Sequence, residues 1–248
     1  MIKDRSFIYV LVATVAAIFI SPSAHAQNAV LQLTNGATTV TIGDNSGSDS
    51  NSAVGVITYI GTVGDFSTNV TTGTSKPVVG SATSPELDLA SLNITNNTSS
   101  PETLTILFSD NNFGPVTGTP QASLSITQLG QSPGGPRNGS VTYDGYLSAS
   151  NTTLAKTTLL TAIGPVTVSG TNIGAFGSFS APFALTQALQ ITLNAGGEFL
   201  GSANLTITPV PEVNGVLSSV LTALVLGVGF ARRLSIRSRL RRSAAVSA

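Results

Sequence analysis

The chain has 248 residues, no cysteine and a single histidine, and its eleven basic and eleven acidic side chains cancel formally. With no thiol and only His25 as imidazole, Ser-His-Asp and Cys-His nucleophile systems are excluded, as are zinc, copper and haem sites built on those ligands. Between Gln27 and Pro209 only Lys76, Arg137 and Lys156 stand against nine acids, a net charge of −6, so this interval lacks the cationic surface that nucleic-acid binding requires.

At the start of the chain, Lys3 and Arg5 precede an apolar stretch of 14 residues, Phe7 to Ile20, followed by Ser21-Pro22-Ser23 and the small residues Ala24-His25-Ala26. That order predicts a secretory signal helix, residues 1–26, cut after Ala26 with Ala24 and Ala26 at the cleavage site. The partners it implies are the Sec machinery and a signal peptidase. A cysteine-free domain of residues 27–209 would then fold outside the cytoplasm on its hydrophobic core alone, which this length allows.

Through that domain apolar residues recur at every second position: Val40 and Ile42; Val54 and Val56; Leu104, Ile106 and Phe108; Leu124 and Ile126; Leu189, Ile191 and Leu193; Leu205 and Ile207. Thr, Ser, Asn and Gln separate them, and period two means strands with one buried face. From Leu87 to Ile94 the pattern slips by one at Ala90-Ser91, as a bulge would make it do. Turn chemistry divides the runs at Asn35-Gly36, Asp44 to Ser52, Asn96 to Pro101, Asn111 to Pro115, Ser132 to Gly139, Gly164-Pro165 and Gly196-Gly197. Ten to twelve short strands are expected. The fold class is all-β, an antiparallel β-sandwich of jelly-roll or immunoglobulin-like type, and Gln131 to Asn138 reads as a long loop, with a linker as the alternative.

Candidate chemistry is confined to oxygen ligands and carboxylates. Asp44, Asp49 and Asn51 place side-chain oxygens in one loop and are candidates for a calcium ion, although the loop is no EF-hand: Asp49 and Gly55 stand where glycine and glutamate are needed. Ser109 to Asn112 is a second oxygen-rich segment. Glu86 and Asp88, two positions apart, share the strand face opposite Leu87 and Leu89. With Glu102 and Asp110 they are the acids open to a carboxylate-based glycosidase, which needs two carboxyls converging on one bond. Tyr143, Asp144 and Tyr146 form a candidate sugar-stacking patch, and Phe176, Phe179 and Phe183 a core cluster.

After Pro209 comes Val210-Pro211-Glu212-Val213, an uncharged run of 19 residues from Val213 to Ala231, and six arginines: Arg232, Arg233, Arg237, Arg239, Arg241 and Arg242. The run would span roughly 28 Å as a helix, enough for one crossing. Arg232 and Arg233 form a stop-transfer signal, and the six arginines together place the C-terminus in the cytoplasm.

The order Val210-Pro211-Glu212, apolar helix, Arg232-Arg233 resembles the PEP-CTERM sorting signal of Gram-negative, exopolysaccharide-producing bacteria, with Val213 where that family usually has a second proline. The resemblance implies an exosortase, a membrane protease or transpeptidase, as partner. It makes residues 210–242 a sorting signal comprising the motif Pro211, Glu212, Val213, a transmembrane helix 213–231 and the Arg-rich tail, with 243–248 as the tail end. The segments Gly73-Thr74-Ser75-Lys76-Pro77, Pro85 to Leu89 and Leu104 to Asp110 are similar to those of a group of β-rich PEP-CTERM cargo proteins. The expectation is a non-enzymatic protein with no cofactor. It would be exported through the inner membrane, transiently anchored, and delivered to the cell surface or extracellular matrix with a structural or adhesive role in the exopolysaccharide or biofilm layer. A glycan-binding or calcium-dependent module is the alternative, with extracellular polysaccharide as partner, and a carboxylate-based glycosidase the remote one.

Overall fold

The computed structural model describes residues 28–116, 120–128, 139–167 and 169–208. The chain divides into two units, Met1–Pro209 and Val210–Ala248, and every described residue belongs to the first. The signal segment, the loop from Gln131 to Asn138, the sorting motif, the membrane run and the arginine tail lie outside the described residues.

Among the described residues there is no helix and there are twelve strands: β1 (Val30–Thr34), β2 (Thr39–Gly43), β3 (Val56–Val63), β4 (Phe66–Thr74), β5 (Glu86–Asn96), β6 (Glu102–Phe113), β7 (Gln121–Gln128), β8 (Gly139–Ser148), β9 (Thr158–Val166), β10 (Gly170–Ala175), β11 (Phe183–Leu193) and β12 (Glu198–Thr208). They form two six-stranded antiparallel sheets, β2-β1-β6-β11-β8-β9 and β10-β7-β12-β5-β4-β3. From β5 onward the chain changes sheet at every connection except β8 to β9. The eight strands β5 to β12 therefore stand as two facing sets of four, β6-β11-β8-β9 and β10-β7-β12-β5. This is the winding of a jelly roll, and it decides between the two sandwiches the sequence allows. The hairpins β1-β2 and β3-β4 widen the sheets beside β6 and β5.

The alternating rows become the inner faces. Leu104, Ile106 and Phe108 from β6 and Leu185, Leu189 and Ile191 from β11 meet Leu87, Leu89, Leu205 and Ile207 of the other sheet, all without solvent exposure. Phe183 is fully buried against Phe113, with ring centroids 5.8 Å apart, and Phe176 and Phe179 pack at the core's margin. Gly73 on β4 marks a close approach of the sheets: a Cβ there would lie 2.6 Å from the Phe108 ring.

The expected slip at Ala90-Ser91 is a bulge. Between Leu89 and Leu92 β5 spends one residue more than β12 does between Ala203 and Gly201, and Ser91 has φ 53°. Two expected turns lie wholly or partly within strands, β6 running on to Phe113 before Gly114-Pro115. Asn111 and Asn112 continue β6 as a second bulge, where these two residues oppose the single Ala184 of β11 and Asn112 has φ 56°. Gly164-Pro165 lies inside β9, again at a register shift, because β9 is an edge strand with an open flank where a missing N–H is tolerated. Val54 precedes β3 instead of opening it.

Asn96 ties two turns together at one end of the sandwich. Its buried amide donates to the carbonyls of Ser100 (2.8 Å) and Asn194 (3.1 Å), and its Oδ1 accepts from the N–H and hydroxyl of Thr98.

Candidate functional site

The row Leu104, Ile106, Phe108 does not stop at Phe108. Its next inward position is Asp110, a carboxylate with no exposed side-chain surface. A buried charge must be paired and hydrogen-bonded to persist. The partner comes from the other sheet: β4 ends at Thr74, and two residues later Lys76 reaches in with its side chain only 3% exposed. Lys76 Nζ lies 2.6 Å from Asp110 Oδ2.

Every remaining bond at this pair is local. Ser75 Oγ donates to Oδ2 at 2.7 Å, the Asn111 N–H donates to Oδ1 at 2.7 Å, and Nζ also donates to the Asn111 carbonyl at 2.5 Å. The Phe113 ring closes the site on a further side, its centroid 4.1 Å from Nζ, in cation–π range. The loop before β3 lies against the same backbone. Ser75 N–H donates to the Gly55 carbonyl at 2.8 Å, and Gly55, at φ +81°, comes so near that a Cβ would stand 2.5 Å from the Lys76 carbonyl oxygen. A recess of about 260 Å³ lined by Lys76, Pro77, Gly80, Ser81 and Ala82 opens beside the pair. Sequence reasoning missed this cluster. Its signals were the period-two continuation to Asp110 and the position of Lys76 as the only basic residue between Gln27 and Pro136.

The calcium candidates fold into the β2-β3 loop as turn anchors. Asp49 Oδ1 accepts the N–H groups of Asn51 and Thr58, both at 2.9 Å, and Oδ2 that of Asn45 at 3.1 Å. Asn51 Oδ1 accepts from Ala53 N–H, and Asp44 Oδ2 from Gly55 N–H, each at 2.9 Å. Partial burial raises the Asp44 carboxyl, with repulsion from Asp49 and Asp110 adding to it against the Gly55 hydrogen bond. Among the described residues no group of three acid, histidine or cysteine side chains could hold a metal ion. In the second oxygen-rich segment, Asp110 is engaged by Lys76.

Glu86 and Asp88 sit half-buried on the outer face of β5, with Leu87 and Leu89 inward, as the alternation predicts. Asn204 Nδ2 donates to Glu86 Oε1 at 2.8 Å. Burial, then the Glu86 charge, raises the Asp88 carboxyl above its ordinary 3.8. The tyrosine patch is divided. Tyr143 and Tyr146 are three positions apart and face opposite ways: Tyr143 is fully buried and donates to Gln187 Oε1 at 2.5 Å, while Tyr146 is partly exposed and donates to Asp144 Oδ2 at 3.1 Å. Burial pushes the Tyr143 phenol well above its usual value of 10.

The chain matches no family model and no curated protein. Among solved structures it is similar to the adhesin domain of Epf from Streptococcus pyogenes, with 12% identity and TM-score 0.34 over 75% of this chain and 60% of that one. It is also similar to a carbohydrate-binding module that recognises mannan (9% identity, TM-score 0.28, 59% of this chain and 81% of that one). A third is a family 35 carbohydrate-binding module from Clostridium thermocellum (9% identity, TM-score 0.22, 60% and 96%). The chain thus spans less than two thirds of the adhesin chain's length.

Proposed function

We propose that the protein is an exported structural or adhesive component of a Gram-negative surface polymer layer, delivered by the signal segment and handed to an exosortase-type protease at Pro211-Glu212-Val213. The observation that carries this reading is how the sandwich uses its polar groups. Asp44, Asp49 and Asp110 are engaged in holding loops and core, and several neighbouring strands are joined by uncharged side-chain pairs. Thr103 bonds Thr192 at 2.9 Å, Gln32 bonds Thr41 at 3.0 Å and Thr58 bonds Thr72 at 3.1 Å. Such faces hydrogen-bond to water and to hydroxyl-rich polymer alike, and they offer no strong field to a charged small molecule. Mass spectrometry of the C-terminal peptide from shed material tests the sorting step. Cleavage at the motif ends the chain near Val213; a peptide running on into Leu217 contradicts it.

One observation favours a glycan-binding module as second reading: Tyr146 and Asp144 are hydrogen-bonded neighbours on the outer face of β8. An aromatic ring beside a carboxylate is the usual means of stacking on a sugar and gripping its hydroxyls. Retardation of the full chain in a polysaccharide affinity gel, lost in Tyr146→Ala, supports it; equal mobility of both proteins removes it.

A further inference from the structure

The Lys76–Asp110 pair is arranged for more than an ionic contact. An amine and a carboxylate do not condense in water, because both ions are well solvated. Here neither is, and converting two buried charges into one neutral amide plus a departing water removes the desolvation penalty of both. The groups are also held at near-attack separation by the chain itself, with Nζ 2.6 Å from Oδ2. We propose that Lys76 and Asp110 form an intramolecular amide bond, a covalent tie between the two sheets of a protein that has no disulfides.

The surrounding atoms supply each step. Nζ passes one proton to Oδ2 and its freed electron pair attacks Cγ. The displaced C=O electrons collect on Oδ1, where the Asn111 N–H, 2.7 Å away, stabilises them as an oxyanion. A second proton moves from nitrogen to Oδ2, which lies 2.6 Å from Nζ and also accepts from the Ser75 hydroxyl at 2.7 Å. The Cγ–Oδ2 bond breaks, Oδ2 departs as water with the bonding electrons, and Oδ1 regains its double bond. The amide N–H left behind remains a donor to the Asn111 carbonyl, which Nζ already contacts at 2.5 Å. No outside reactant is needed. The Phe113 ring packs over Nζ and shields the bond from returning water, and the recess lined by Lys76 and Pro77 lies on the lysine side of the pair.

The inference does not depend on the surface-layer reading. It is tested on the full chain from the producing cells, denatured and cut by a glutamate-specific protease. Cleavage after Glu86 and Glu102 places Lys76 and Asp110 on different peptides. The expected product is one joined species whose mass is that of the two peptides less one water, with the link mapped to Lys76 and Asp110 by fragmentation. Lys76→Arg keeps the charge but not the primary amine, and should yield the two peptides separately at full mass. Recovery of separate linear peptides from the unmodified chain, with the Lys76 amine free to react with an acylating reagent after denaturation, overturns the proposal. Because that result is read on the wild-type protein, it holds whether or not the variant folds.

Discussion

Asp110 is the residue on which the interior depends most, since it takes a core position in a row of apolar side chains and is tolerated there only with Lys76. Asp110→Ala leaves an unpaired ammonium among Phe113 and its neighbours and should destabilise the fold by about 3–5 kcal/mol. The double variant Lys76→Met with Asp110→Leu removes both charges and should melt above either single variant; urea denaturation of the three proteins measures the difference. Asp88 has a smaller effect of definite sign. Its folded carboxyl is raised above 3.8 by burial and by Glu86, so between these two values the folded chain holds more proton than the unfolded one. Its contribution is complete below pH 3.8 and is lost as pH rises through the folded value. As pH rises across that window, melting temperatures of Asp88→Asn should therefore fall less than those of the parent; parallel curves would show that the half-buried carboxyl is not desolvated.

At the scale of the strands, the rows that keep one phase, such as Leu104-Ile106-Phe108 and Leu189-Ile191-Leu193, could be read directly because each buries one face against the opposite sheet. The bulge at Ser91 was readable for the same reason: an extra residue inverts the phase, and the phase change is visible as Ala90-Ser91 between leucines. Strand β8 was not, because Gly145 occupies an inward position and Tyr146 an outward one, so its aromatic residues do not share a period. Gly164-Pro165 has turn chemistry, but an edge strand can hold it. The Lys76–Asp110 contact joins residues 34 apart on different sheets, a pairing that periodicity does not encode. Two substitutions test the packing. Gly73→Ala forces a Cβ against the Phe108 ring and should cost roughly 1–3 kcal/mol. Asn96→Ala strips one buried amide from two turns and should cost on the order of 1–3 kcal/mol. Both are read as shifts in denaturation midpoint at unchanged m-value.

For the whole molecule, the jelly roll encloses an apolar core and one buried ion pair and folds without cysteine. Export is the claim that joins this unit to the flanking sequences, and two lysines make it measurable. Lys156 is exposed in the loop before β9, whereas Lys76 is sealed in the core. A membrane-impermeant amine reagent applied to intact cells should modify Lys156 and leave Lys76 untouched. Modification of Lys156 only after lysis would place the sandwich inside the cell and contradict the account.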